Sequence, residues 1–381
     1  MSGYAEAVTA WLEHLRGGGT SGWDDFTAQA ALTDRTSTDH RHHEQLPTAT
    51  QLRLLQLLLP MTDRPDLLTD LVTNTPAPGR GLVDIPLTWA SESPIGTPAH
   101  APVDVPADEV LRQAVGVLAV LLHGAPPAAT DVPTPAPTPL PWRKRFMAYG
   151  APVTAGVVRQ ELIAQRHAET DFRSVRLILG CPLDMMMGEL WQERINRGGI
   201  VKWRSLWHQC YRRGHLPRAL DLAAIAADLH AQGQEVVVVV GRDSESAHVA
   251  AVRLLGRQPR IPAPPLNPAA TDARRRINRL VSQTYGAAAL TQRQAQINAA
   301  LRLPDHQRLG APNDLADWAN DQAHRQVEAI SDAGYPVVGD LSDLIPDHDE
   351  STPRRIAAAR TLPVVLDAII KTWKESPWPN A

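Results

Sequence analysis

Three short apolar runs in the C-terminal two-thirds of the chain predict the strands of a sheet. A glycine follows each of them, and they lie at 145–149 (RFMAY), 175–179 (VRLIL) and 235–240 (EVVVVV). Near-continuous apolar runs are typical of strands that are buried on both faces of a parallel sheet. A helical pattern follows each run, at 155–167, 183–197 and 245–256. This repeated order of strand, glycine and helix predicts an α/β domain.

Apolar residues at helical spacing dominate the first third of the chain. They form stripes at 4–15, at 48–59, where Pro60 ends a leucine-rich run, and at 107–122. Residues 79–89 are the one stretch there that we predict to be extended. These patterns predict a small, mainly helical N-terminal domain.

A proline-rich segment, 124–141, separates the two patterns, and seven of its eighteen residues are proline. Proline fixes φ and removes a hydrogen-bond donor, so we expect an extended, semi-rigid linker here. The sequence therefore predicts a helical domain at 1–123, a linker at 124–141 and an α/β domain with C-terminal helices at 142–381. Those helices are expected at 269–301, 313–334 and 354–374, with a kink at Pro363 in the last.

Composition narrows the classes of function. The chain of 381 residues has 38 Lys+Arg against 41 Asp+Glu, and this near-balance argues against nucleic-acid binding and against a polybasic membrane surface. Hydrophobic residues make up 43%, which excludes wholesale disorder. Two cysteines form no disulfide framework, and neither a signal peptide nor a membrane span is expected. We therefore expect a cytoplasmic setting.

The turn after the first predicted strand is the main candidate binding site. Where a strand ends in glycine and a helix begins at once, the start of that helix presents backbone N–H groups and the positive end of its dipole to an anion. Gly150, Thr154 and Gly156 are the candidate anion-binding residues of this turn. Val153 stands where a P-loop would have its lysine, so a purely structural strand-to-helix turn is the other interpretation.

Three stretches share motifs with one enzyme family. Residues 150–156 (GAPVTAG) align with a G-x-P-K-T-G-T loop, and 177–207 align with a strand followed by P-S-x-W-Q-E, anchored on Trp191, Gln192 and Glu193. Trp318 and residues 334–346 (GYPVVGDLSDLIP) align with W…G-Y-x-V-V-G-D-L-x-D-L-L-P. Over 142–346 the chain thus resembles bacterial sulfotransferases that use 3′-phosphoadenosine-5′-phosphosulfate (PAPS), in the divergent form common in actinobacteria. The resemblance implies a P-loop-like parallel sheet, PAPS as cofactor and sulfuryl transfer as activity.

The chain departs from the family at the residues that hold the cofactor. Val153 replaces the loop lysine, Cys181 replaces the arginine that grips the 3′-phosphate, and Glu189 replaces the partner serine. A charged hydrogen bond contributes about 1.5–3 kcal/mol, so losing both cations should weaken binding about a thousandfold or more. A carboxylate at Glu189 would also repel a phosphate, by up to about 4 kcal/mol at 4 Å. The segment 165–174 is shorter than the acceptor-binding segment of the family. We therefore predict that PAPS is not bound in the family manner.

Other cations could replace the missing ones. Arg159 lies about two turns into the helix, and 143–145 (RKR) precede the first strand. Arg242 and Asp243 follow the third strand and could face the same cleft, because ligands bind at the carboxyl ends of parallel strands. There Arg242 could bind an anion and Asp243 act as a base. An exposed pair that caps the next helix is the other interpretation.

The remaining candidates are expected to be structural. Three histidines lie within 39–44, which we interpret as a solvated loop rather than a metal site, and we predict no metal site elsewhere. Residues 185–187 (MMM), Trp203 and Trp207 are predicted to lie in the core. Residues 274–276 with Arg279 are predicted to form an exposed helix face. Cys181 has no convincing histidine and acid beside it, which argues against a nucleophile.

Three functions stay open. The first is a sulfotransferase-fold protein that has lost PAPS binding and acts as a binding or accessory protein, with a protein partner or a small anionic ligand and no cofactor. The second is an active sulfotransferase, or a related group transferase, whose anion site uses a replacement cation and whose cofactor is PAPS. The third is another nucleotide-binding α/β protein with a helical adaptor domain. No catalytic residue, oligomeric state or acceptor follows from the sequence.

Overall fold

The computed structural model describes residues 48–75, 77–78, 105–124, 136–262, 266–301, 308–347 and 352–375. The predicted helix at 4–15, the histidine-rich loop at 39–44 and the predicted extended piece at 79–89 lie outside these residues.

A four-stranded parallel sheet forms the centre of the α/β part. Its strands lie in the order β1 (Arg145–Gly150), β2 (Ser174–Gly180), β3 (Val236–Val240) and β4 (Val337–Val338). All three pairings are parallel, so the carboxyl ends of the strands share one edge. Every residue of β2 is buried, as a strand covered by helices on both faces requires.

The described residues form eleven α-helices. In chain order these are α1 (Ala49–Leu58), α2 (Pro65–Asn74), α3 (Ala107–Gly124), α4 (Pro152–Ala164), α5 (Leu183–Asn196), α6 (Trp203–Arg213), α7 (Leu222–Ala231), α8 (Ser244–Leu255), α9 (Pro268–Ala300), α10 (Ala316–Ala333) and α11 (Ala358–Glu375). None of these described helices is both long and apolar enough to cross a membrane.

Each face of the sheet has its own core. Residues of one face, such as Ile178 and Val238, pack with α5, α6, α7 and α10. Residues of the other face, such as Leu177 and Val239, pack with α4 and α8. The alternation follows from the two-residue period of a strand. The predicted α/β fold with a parallel sheet flanked by helices is confirmed, whereas its P-loop-like character stays a prediction.

A third core lies among helices. Apolar residues of α1, α2 and α3, which precede the proline-rich segment in the sequence, pack with those of α9 and α11, which follow it. Thr48 caps α1 and forms a capping box with Gln51, and the Gln51 side chain also donates to three carbonyl groups near the end of α2. Gly286 (φ 87°, ψ 166°) interrupts α9, and Pro363 lies inside α11.

The exposed arginine face predicted at 274–276 is wrong for two residues. Arg274 and Arg275 are buried, because α9 packs against other helices along this stretch and both guanidinium groups find internal partners. Arg274 donates to Asn196 Oδ1 at 2.7 Å, and Arg275 pairs with Asp272 at 2.7 Å. The core positions predicted for Trp203, Trp207 and two of the three consecutive methionines are confirmed, since only Met185 is half-buried.

Candidate functional site

The turn between β1 and α4 is shaped by Gly150. Its φ of +98° is unfavourable for any residue with a Cβ, and a Cβ there would lie 2.1 Å from Leu179 O. The next amide, that of Ala151, donates to the same Leu179 oxygen at 2.9 Å. The chain then enters α4 at Pro152, which has no N–H to satisfy. The first free amides of the helix are therefore those of Val153 and Thr154.

Glu189 of α5 occupies the position that faces these amides. Its Oε2 accepts hydrogen bonds from Val153 N and Thr154 N, both at 2.9 Å. Its Oε1 accepts from Thr154 Oγ1 at 2.6 Å and from Ser244 Oγ at 2.5 Å. The side chain is fully buried. A carboxylate of the chain itself thus sits where the N-terminus of α4 would receive an external anion.

The electrostatics of Glu189 balance burial against hydrogen bonding. Burial raises the pKa of Glu189 above its ordinary value, although the hydroxyl groups of Ser244 and Thr154 and the two amides act in the opposite direction. The positive end of the α4 dipole also favours a negative charge here. All four neighbouring groups donate, so the ionised carboxylate satisfies each of them.

Cys181, the first residue after β2, belongs to the same buried cluster. Its Sγ lies 3.9 Å from Ser244 Oγ. Burial raises the pKa of Cys181 well above its ordinary value, and the charge of Glu189 adds to this effect. Because the thiolate is the reactive form of cysteine, these surroundings oppose a nucleophilic role.

A buried ion pair lies beside this cluster. Arg308 donates to Asp184, near the start of α5, through Nε at 2.9 Å and Nη2 at 3.0 Å. The Asp184 side chain is 2% exposed and that of Arg308 is 25% exposed. Burial raises the pKa of Asp184, and Arg308 opposes this rise. Arg308 thus brings a guanidinium group near Cys181, where the resembled family has an arginine, but Asp184 already holds it.

Only some of the binding residues predicted from the sequence lie at the turn itself. Thr154 is a direct partner of Glu189, and Gly156 lies two residues further into α4, where a Cβ would meet nothing within 4 Å. Arg159 is held by an ion pair with Glu169 and donates to Ala148 O at 3.3 Å. β1 starts with Arg145 at the opposite edge of the sheet, about 16 Å from Gly150 at the usual rise per residue, and residues 143–144 precede it.

Arg242 and Asp243 follow β3 at the same edge as the glycine turn. Asp243 caps α8, where its carboxylate accepts from Ser246 N at 2.7 Å. The capping interpretation is therefore confirmed for Asp243. Arg242 is exposed and has no hydrogen bond or ion pair within the described ranges.

Sequence reasoning missed Ser244 and Arg308. Ser244 begins α8 four residues after the end of β3, so the shared edge of the parallel strands was a usable signal for it. Arg308 reaches Asp184 across 124 positions of sequence, and no local pattern indicates this pair.

No family model, no curated protein and no solved structure matches this chain. Among the residues that the structure describes, no three His, Cys, Asp or Glu side chains are grouped so that they could hold a metal ion.

Proposed function

We propose that the chain is a sulfotransferase-fold protein that has lost PAPS binding and acts as a binding or accessory protein. The observation that carries this proposal is the position of Glu189. A nucleotide that enters a site of this kind places a phosphate on the first amides of the helix after β1. Here a buried carboxylate already accepts from both Val153 and Thr154.

The surrounding cations support the same conclusion. Two positions that carry cations in the resembled family hold Val153 and Cys181. Of the described arginines near this edge, Arg159 is paired with Glu169 and Arg308 with Asp184. A phosphate in the turn would have to displace Glu189 without the charged hydrogen bonds that normally favour it, each worth about 1.5–3 kcal/mol.

Calorimetry tests this proposal. 3′-Phosphoadenosine-5′-phosphate (PAP), the desulfated product, is titrated into the full chain and into a triple variant, Val153→Lys, Cys181→Arg and Glu189→Ser, which restores the three family residues. We expect no PAP binding at the glycine turn of the wild type, even at millimolar PAP, and measurable binding at this turn by the variant. A micromolar dissociation constant for PAP at the glycine turn of the wild type would contradict the proposal.

An active transferase is the second candidate, and one observation favours it. Arg242 lies at the carboxyl edge of the sheet, two residues before Ser244, and has no partner in the described part of the chain. Unlike Arg159 and Arg308, which each pair with a carboxylate, Arg242 keeps a guanidinium group without a described partner at this edge. Sulfuryl transfer from PAPS by the wild type that Arg242→Ala abolishes would establish this candidate in place of the first.

A further inference from the structure

A second site lies away from the glycine turn. A groove of about 970 Å³ opens between the 3₁₀ turn Asn313–Leu315, before α10, and the segment that leads into α11. Four arginines and one acidic residue supply its charges: Arg204, Asp314, Arg354, Arg355 and Arg360. None of the hydrogen-bond partners of Glu189 lines it.

The charge of this groove is not balanced by the described residues. Asp314 accepts from Arg204 Nη2 at 3.0 Å, and His208 Nε2 lies 3.2 Å from the same oxygen. The hydrogen bond from Arg204 also lowers the pKa of Asp314, which keeps it ionised. The guanidinium groups of Arg354, Arg355 and Arg360 make no hydrogen bond or ion pair with any described residue. Among the described residues, the groove therefore carries three positive charges that no acidic side chain pairs with.

Single arginines without a described partner, such as Arg242 and Arg325, also occur elsewhere in the molecule. In this groove, however, three of them line the same cavity. Three like charges on the wall of one groove repel each other, and an anion between them removes that repulsion. The cluster thus points to a ligand that supplies negative charge.

The groove is also held in a fixed shape on one side. Gly310 N donates to Pro353 O at 3.0 Å, and Gly310 O accepts from Trp203 Nε1 at 3.2 Å. A Cβ at Gly310 would lie 3.4 Å from Thr352 and 3.5 Å from Arg354. Gly310 thus links the segment that carries Arg354 to Trp203 at the start of α6, which limits the reorganisation needed on binding.

We propose that this groove binds a small molecule with two or more phosphate or sulfate groups. Guanidinium groups match such oxyanions with two parallel hydrogen bonds. The volume lies in the range of about 300–1,000 Å³ that is typical of small-ligand sites. The proposal does not depend on the state of the glycine turn.

Tripolyphosphate is the probe for this site. It is titrated by calorimetry into the full chain and into Arg354→Ala, Arg355→Ala, Arg360→Ala and the combined triple variant. Arg325→Ala is the matched control, because Arg325 is an exposed arginine on α10 that lies outside the groove and has no described partner. Thermal unfolding followed by circular dichroism establishes that each variant is folded.

We expect tripolyphosphate to bind the wild type, each groove substitution to weaken binding about tenfold or more, and Arg325→Ala to leave it unchanged. A hexasulfated oligosaccharide in a parallel titration separates a phosphate ligand from a sulfate ligand. Absence of binding at millimolar tripolyphosphate, or an equal loss in Arg325→Ala, would overturn the proposal. Tighter binding of hexaglutamate than of either probe would overturn it in favour of an acidic protein partner.

PAP also carries phosphate groups, so the groove triple variant separates the two proposals. PAP binding that survives in this variant takes place elsewhere and counts against the proposed function. PAP binding that the variant loses is binding in the groove and leaves the proposed function intact.

Discussion

Thr154 gives both its backbone N–H and its hydroxyl to the carboxylate of Glu189, at 2.9 and 2.6 Å. Glu189→Ala would leave the amides of Val153 and Thr154 without this acceptor, and an unsatisfied buried polar group costs about 1–3 kcal/mol. We expect the free energy of unfolding, measured with denaturant, to fall by about 3 kcal/mol or more.

Glu189→Gln is the matched control for this substitution. Its amide oxygen can accept from the two backbone N–H groups, while the hydroxyls of Thr154 and Ser244 can turn to accept from its NH2 group. We expect a clearly smaller loss than in Glu189→Ala. Equal losses in the two variants would show that packing, and not hydrogen bonding, is what Glu189 contributes.

The two glycines of the candidate turn should respond in opposite ways to alanine. Gly150→Ala forces a Cβ to 2.1 Å from Leu179 O at a φ of +98°, so we expect a loss of about 3 kcal/mol or failure to fold. Gly156→Ala places a methyl group in open space inside α4 and should stabilise the protein by about 0.5–1 kcal/mol. Thermal unfolding of both variants checks this, and a destabilised Gly156→Ala would disagree with the described helix.

The Asp184–Arg308 pair predicts an asymmetric response. Arg308→Met leaves a carboxylate that is 2% exposed without its cation, and removal of one member of a buried pair costs about 3–5 kcal/mol. Asp184→Asn leaves a guanidinium that is 25% exposed and can reach water, so we expect a smaller loss. Denaturant unfolding of both single variants and of the double variant measures their coupling. Additive losses would mean that the pair contributes nothing as a pair.

His248 should make the stability depend on pH. Burial lowers the pKa of His248 below the ordinary value of 6.5, although Glu161 and Glu245 oppose the shift. The unfolded chain therefore takes up this proton first, so the free energy of unfolding should fall as the pH drops below about 6.5. The slope is at most about 1.4 kcal/mol per pH unit for one proton.

His248→Gln should flatten this slope between pH 6.5 and 5, measured by denaturant unfolding at each pH. His324→Gln, which changes an exposed histidine on α10, serves as the control and should leave the slope as in the wild type. Parallel curves for the wild type and His248→Gln would contradict the assignment.

The sheet could largely be predicted from the sequence because its strands are marked twice, by apolar runs and by the glycines that follow. β3 was expected at 235–240 and lies at Val236–Val240. β4 has two residues, too few to produce a pattern. α7 was missed because its alanine-rich sequence shows little contrast between faces.

The candidate site was only half predictable. The glycine turn follows from local sequence, and the unfavourable effect of Glu189 on a phosphate follows from its charge. That the same carboxylate reaches the amides of Val153 and Thr154 depends on how α5 is rotated against α4, which is set by the buried residues of both helices. The burial of Arg274 likewise depends on partners as distant as Asn196, which no local pattern reveals.

A crystal structure of the chain grown with saturating PAP tests the central claim most directly. The account predicts that Glu189 still accepts from Val153 N and Thr154 N and that no nucleotide lies at the glycine turn. A 5′-phosphate of PAP on these two amides, with Glu189 displaced, would contradict it.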